Sequence, residues 1–338
     1  PTVLAPKTID NDLGLNYFGE PNEYERIPDP NRPRGHAYRK RPGRAFQLSD
    51  MVNYCTPGFA TAVAVSAASV QRIRTTAESH RRVAIIEVMG RDCGMIALGA
   101  AYGQPDIILV PEVPHDPDKL VERVLYFLDI QKHAVLCVSE GIRDAEGRIL
   151  GSITASKDPA GNVLYSGAAE AIKQLLVERI GDDYFLRRRR NESAEAAIFT
   201  RKIGHSQRGG RPIQFDRFHA SQLGGKAVEL LVEGQHDCVA TLRYFDGGFS
   251  YPGIDANKLR DRWGVIHARP MAPAFYDADR FQPSPQGIEY LRSIFSNALG
   301  ADDIESQRYL FDTGHLTHPY DSVNSDVHKR IRWLDVVE

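Results

Sequence analysis

The sequence predicts an α/β fold with mostly parallel sheets. Short apolar runs rich in β-branched residues recur, as expected of strands buried on both faces, and helical patterns separate them. Residues 3–5 form the first run and lead into "PKTIDND" (6–12). "RRVAIIEV" (81–88) leads into Met89, Gly90 and Arg91. "DIILV" (106–110) precedes Pro111 and Glu112, and "HAVLCVS" (133–139) precedes Glu140 and Gly141.

Among the helical stretches, residues 59–78 carry few breakers and many alanines. In "HDPDKLVERVLYFLDI", Asp116 suits the N-cap and Pro117 the first helical position, while Leu120, Val121, Val124, Leu125 and Leu128 share one face. Further helices are expected over 166–180, 216–233 and 285–299. Residues 14–49 break the pattern: five prolines and "RPRGHAYRKRPGR" without periodicity read as a long inserted loop with a solvated basic surface. The arginine run 187–190 reads as an exposed face, with a subunit contact as the rival. The chain after Trp263 reads as an appended element with one helix and a closing "VHKRIRWLDVV".

Composition narrows the function. The 338 residues carry a net charge of −2, which removes the electrostatic case for a nucleic-acid partner. No apolar run approaches the roughly 20 residues of a membrane span, so none is expected. The four cysteines, Cys55, Cys93, Cys137 and Cys238, form neither a CxxC pair nor a disulfide framework. They point to a reducing compartment, the cytoplasm, with Cys93 as a packing residue.

In open parallel sheets ligands bind beyond the carboxyl ends of the strands, and the polar groups gather there. Lys7, Thr8, Asp10 and Asp12 follow the first strand, Arg91 the second and Glu140 a later one. "IGHSQRGGRPIQFDR" (203–217) adds His205, Gln207 and Arg208 before two glycines. Arg with His suits a phosphate, and the carboxylates suit hydroxyl protons or a metal ion. Each alone has a plainer reading: turn residues for Asp10 and Asp12, an ion pair for Arg91, packing for His205, a simple turn for Gly209 and Gly210. The functional reading rests on their convergence.

"PKTIDNDL", "EVMGRDCG", "VSEG" and "GHSQRGGRPIQFDR" stand in the order found in phosphofructokinases of the bacterial and eukaryotic glycolytic superfamily. The chain resembles that family from residue 1 to about 260. The resemblance implies two Rossmann-like domains enclosing a site that phosphorylates fructose 6-phosphate on its 1-hydroxyl. It implies Asp10 as the base, Asp12 as organiser of Mg²⁺ or its waters, and Thr8 and Lys7 beside the transferring phosphoryl group, with Ile9 in the same substrate-binding turn. Met89, Gly90, Arg91 and Glu140 match the sugar contacts, and His205 and Arg208 the 6-phosphate binders. Arg82 matches an arginine that reaches the 6-phosphate of a neighbouring subunit, implying a homo-oligomer with shared sites.

Two departures stand out. Where the family has a second cross-subunit arginine this chain has Phe199, with Arg201 two residues later as the substitute. No "GGD" donor loop precedes Lys7, so the chain is expected to be a fragment lacking an N-terminal portion, inactive and poorly stable alone. Lys7 stands where pyrophosphate users carry lysine, so pyrophosphate is the expected donor. ATP is the alternative donor, and a non-catalytic sugar-phosphate-binding subunit the alternative role. The expected division is 1–58 (remainder of the donor domain, with the 14–49 loop), 59–206 (sugar-phosphate domain), 207–262 (return and crossover) and 263–338 (extension).

Overall fold

A computed structural model describes residues 2–29, 35–150, 167–187, 192–306 and 311–316, the side chains of 314 and 315 excepted. Two units separate: residues 1–298, and residues 299–338. In the second, the described residues form helix Ala301–Glu305, where Gly300 N donates to Asp303 Oδ2 at 2.9 Å, and a short turn Thr313–Leu316. The closing "VHKRIRWLDVV" and residues 188–190 of the arginine run lie outside the described residues.

The first unit begins with β1 (Val3–Leu4), then an arm of β2 (Tyr24–Pro28) and β3 (His36–Lys40), then helix α1 (Phe59–His80). Strand β4 (Val83–Val88), α2 (Met95–Gly99), β5 (Ile107–Leu109), α3 (Pro117–Ile130) and β6 (Ala134–Ser139) follow. Next come α4 (Ala168–Ile180), α5 (Asp182–Arg187), α6 (Ala194–Ala197), β7 (Ile198–Lys202) and α7 (Gln214–Val232). Strand β8 (Cys238–Ala240), the hairpin β9 (Arg243–Phe245) and β10 (Gly248–Ser250), and β11 (Gly253–Asp255) lead to β12 (Tyr276–Asp277), β13 (Gln282–Pro283) and α8 (Pro285–Phe295).

The main sheet is all parallel, in the order β5–β6–β4–β7. Side chains alternate across it, as the strand repeat requires. Ala84, Ile86, Val88, Ile108, Val135 and Cys137 enter the core beneath α1, and Val83, Ile85, Ile107, Leu109, Ala134, Leu136 and Val138 the core beneath α3 and α4. Both faces are therefore covered, which is why these strands read as unbroken apolar runs. Helix α3 forms as its sequence dictates: Asp116 accepts from Asp118 N (2.9 Å) and Lys119 N (3.4 Å), and Leu120, Val124 and Leu128 are buried. Each such buried side chain contributes roughly 1.5–3 kcal/mol. A smaller sheet, β1–β8–β11, pairs β1 parallel with β8 and β11 antiparallel to it. Among the described residues no helix is long and apolar enough to cross a membrane.

Two expectations change. Residues 14–49 are not simply a loop: β2 and β3 pair antiparallel within them, with Glu25 opposite Arg39. The ribbon is held by cross-strand charges and by rings rather than by an apolar face, so it leaves no period-two hydrophobic signal. Residues 263–298 are no appendage either. Tyr290, Leu291 and Ile294 of α8 join the core cluster beneath α1, and Arg269 is buried. Only α8 carries a long helical pattern there; Phe275 and Tyr276 enter the core from a short 3₁₀ turn and the two-residue pairing of β12 with β13.

Candidate active site

Three turns meet at the carboxyl ends of β1, β4 and β6. In the first, Asp10 N donates to Thr8 Oγ1 at 3.2 Å, and Thr56 Oγ1 donates to Thr8 O at 2.7 Å. Asp10 is 6% exposed, and its Oδ1 is buried without a hydrogen-bond partner. Burial pushes its carboxyl up to about 6; Asp12 raises it further, opposed by Arg208, Arg91 and Lys7. Thr8 and Asp12 are half-buried and Lys7 is exposed. Ile9 is buried in the core and also lines the cleft beside this turn.

The second turn carries Met89, Gly90 and Arg91. Met89 N donates to Gln207 Oε1 at 2.9 Å, and Gln207 Nε2 donates to Ser66 Oγ of α1 at 2.7 Å. Arg91 has φ 49°, in the left-handed region, and its N–H donates to Glu140 Oε1 at 3.3 Å. Glu140 belongs to the third turn and its N–H donates to Val88 O at 2.9 Å. Burial raises its carboxyl, opposed first by the Arg91 N–H and then by the Lys202 ammonium, while Asp10 raises it further. The carboxylates of two strand ends thus share one electrostatic environment. Cys93 is buried and its thiol is pushed well up by burial, which fits packing.

A cleft of about 200 Å³ opens beside the first turn, lined by Lys7, Gly58, Gln207, Arg208, Gly209 and Arg217 among others. His205 and Arg208 are exposed on the 3₁₀ turn Gly204–Arg208 that borders it. The N-terminus of α1 also reaches this cleft, where Thr61 N donates to Asp216 Oδ2 at 2.8 Å. That carboxylate, supplied by α7, takes the place at the helix end that an anion would otherwise favour.

Two expected residues are engaged otherwise. Arg82 precedes β4, at the end opposite Met89 and about 20 Å away at some 3.3 Å per strand residue. Its Nη2 pairs with Glu192 Oε1 at 2.7 Å. Arg201, on β7, is exposed, lies over the Phe199 ring at 5.6 Å and donates to Thr200 O at 3.1 Å.

Several residues of the site carried no assigned role in sequence. Lys202, which also pairs with Glu87 Oε1 at 2.9 Å, supplies a cation to Glu140. Thr56, Arg269 and Tyr290 tie down the 8–12 turn from afar. Gln207 alone was visible, inside the "GHSQRGG" motif; the others have no local pattern.

Among the described residues no cluster of three or more His, Cys, Asp or Glu side chains stands ready for a metal ion. Mg²⁺ does not require one, since it usually takes one or two carboxylates, substrate phosphates and waters. Asp12 beside the orphaned Asp10 Oδ1 fits that hard-oxygen demand.

A phosphofructokinase family profile matches residues 50–231, from just ahead of α1 to the last turn of α7. The chain is 40% identical over 252 residues to the ATP-dependent 6-phosphofructokinase 2 of Streptomyces coelicolor, covering 73% of this chain and 58% of the relative. It is 34% identical over 278 residues to the pyrophosphate–fructose 6-phosphate 1-phosphotransferase of the same organism, covering 82% and 64%. It thus spans little more than half the length of the curated relatives it matches. In fold it is similar to the pyrophosphate-dependent phosphofructokinase of Marinobacter aquaeolei, with a TM-score of 0.59 at 18% identity over 88% of this chain and 62% of that one. Matched by the family profile over more than half its length, the chain belongs to the phosphofructokinase family.

Proposed function

We propose that this chain carries the sugar-phosphate side and the base of a Mg²⁺-dependent phosphoryl transfer to the 1-hydroxyl of fructose 6-phosphate, giving fructose 1,6-bisphosphate. One observation carries the reading: a buried carboxylate, Asp10, whose Oδ1 has no partner, surrounded by Asp12, Arg208, Arg91 and Lys7. A binding module has no use for an unsatisfied buried carboxylate, whose burial is costly, whereas a base must be free to take a proton.

In this reading Asp10 accepts the hydroxyl proton as the phosphoryl group bonds to the oxygen. Thr8 and Lys7 face that group, and the ammonium stabilises its charge. Met89, Gly90, Arg91 and Glu140 hold the sugar, His205 and Arg208 the 6-phosphate. Arg82 and Arg201, remote from Asp10 or turned outward, serve a neighbouring subunit of a homo-oligomer. Asp12 would hold the metal ion, which supplies charge neutralisation at the phosphates.

The donor we propose is pyrophosphate, on the strength of Lys7: pyrophosphate lacks a nucleoside anchor, and an added ammonium suits its compact charge. ATP is the second reading, favoured by the 40% identity to a relative named ATP-dependent. Fructose 6-phosphate binding by this chain tests the acceptor side without a donor. In the full-length protein, Mg²⁺ and fructose 6-phosphate are given with pyrophosphate or with ATP. Turnover with ATP and none with pyrophosphate would overturn the donor assignment. If pyrophosphate is used, Lys7→Gly selectively damages that reaction.

A further inference from the structure

We propose that Arg269 is the positioning residue of the catalytic turn, holding residues 10–12 so that Asp10 and Asp12 stand side by side. The proposal rests on the phosphoryl-transfer reading above and concerns a part of the chain, 263–298, to which that reading assigns nothing.

Arg269 is 2% exposed, and among the described residues no carboxylate pairs with it. A buried guanidinium without a counter-ion is costly. Among the described residues its side-chain hydrogen bonds go instead to two asparagines. Nη2 donates to Asn11 O at 2.6 Å and to Asn11 Oδ1 at 2.8 Å, and Nε donates to Asn11 O at 3.2 Å. Nη1 donates to Asn53 O at 2.7 Å. Its own backbone N–H donates to Asp12 O at 2.6 Å. One residue therefore ties the peptide groups of Asn11 and Asp12, the two that follow the base.

Both asparagines are left-handed, Asn11 at φ 57° and Asn53 at φ 63°. That conformation is unfavourable for a residue with a side chain, least so for asparagine. The fork of Arg269 supplies what holds both, and a lysine could not reproduce it, because an ammonium lacks the planar array of donors. The two asparagines flank the 14–49 segment, whose neck is closed by paired bonds between Leu15 and Val52, each 2.8 Å. Tyr290 of α8 completes the brace: Asn11 Nδ2 donates to its hydroxyl at 2.7 Å, and that hydroxyl donates to Tyr54 O at 2.9 Å.

Released from the clamp, Asn11 relaxes to a right-handed or extended conformation and carries Asp10 and Asp12 apart. The sugar contacts on β4, β6 and the Gly204–Arg208 turn form no hydrogen bond with Arg269 and remain. The expected signature is a loss in kcat with sugar affinity kept, since a misplacement of about 1 Å costs on the order of 100-fold.

The test uses the full-length enzyme. Arg269→Lys lowers kcat about 100-fold, with the fructose 6-phosphate Kd changed no more than about threefold. Tyr290→Phe, a gentler change, lowers kcat about tenfold in the same pattern. In an Asp10→Ser background, Arg269→Lys costs clearly less than in the wild type, because one of the two carboxylates it positions is gone. Amide hydrogen exchange rises over residues 8–12 in Arg269→Lys while the peptides of β4 and β6 keep their protection. A folded Arg269→Lys with unchanged kcat, a loss in sugar affinity instead, or full losses from both changes in the double variant overturns the proposal. If Arg269→Lys does not fold, Tyr290→Phe decides on the same criteria. If the wild type neither binds nor phosphorylates fructose 6-phosphate, the reaction reading fails by itself, and exchange over residues 8–12 still decides the clamp: unaltered exchange overturns it.

Discussion

The carbonyl oxygen of Arg91 fills the space a side chain on Gly141 would need: a Cβ there would stand 1.8 Å from it. Gly141 follows Glu140, whose Oε1 accepts the Arg91 N–H, so two strand-end turns interlock through a missing methyl group. Gly141→Ala must displace the turn that holds Met89, Gly90 and Arg91. Fructose 6-phosphate affinity, measured by calorimetry on the folded variant, is expected to fall at least about tenfold. Unchanged affinity would detach that turn from sugar binding.

His205 and Arg208 are exposed on one short turn, so truncating either leaves the core intact. His205→Ala and Arg208→Ala should each raise the KM for the sugar phosphate roughly 10- to 100-fold, the range for losing a charge-assisted hydrogen bond. If neither variant changes sugar affinity, the 6-phosphate lies elsewhere.

Asp10 must be ionised to act as a base, and its carboxyl is raised to about 6 by burial and then by Asp12. The rate profile of kcat/KM should therefore rise with pH through an acid limb near 6. Arg208 opposes the rise in Asp10, so Arg208→Ala moves the limb to higher pH. A limb at the ordinary aspartate position, or one that Arg208→Ala moves downward, contradicts the assignment.

The same shift bears on stability. A folded-state pKa above the unfolded one means that the native state binds the proton more tightly. Stability is therefore lost as pH rises from 3.8 to about 6. Asp10→Asn abolishes that dependence. Relative to wild type, it should gain about 2.5 kcal/mol between pH 4 and pH 8, at 1.36 kcal/mol per pKa unit. Urea denaturation of both proteins at the two pH values measures it. A difference that does not change with pH would mean that Asp10 is not held in a costly buried state.

The sequence by itself determined the α/β class, strands β4, β5 and β6, helices α1 and α3 and the three strand-end turns of the site. These are local properties. Unbroken β-branched runs follow from burial on both faces, and the motifs that place Asp10, Arg91 and Glu140 are contiguous. Tertiary structure alone decided what satisfies the buried polar groups. Tyr290 meets Asn11 across 279 residues, and Gln207 meets Met89 across 118. No periodicity reports which distant donor fills an acceptor, because that depends on through-space geometry. The ribbon of β2 and β3 was hidden for a related reason: its strands pair charges and its rings pack on distant partners, Tyr24 stacking on His267 with centroids 3.7 Å apart. Arg269 shows the limit most clearly. In sequence it is one arginine before a proline; its role exists only where the chain folds it under Asn11 and Asn53.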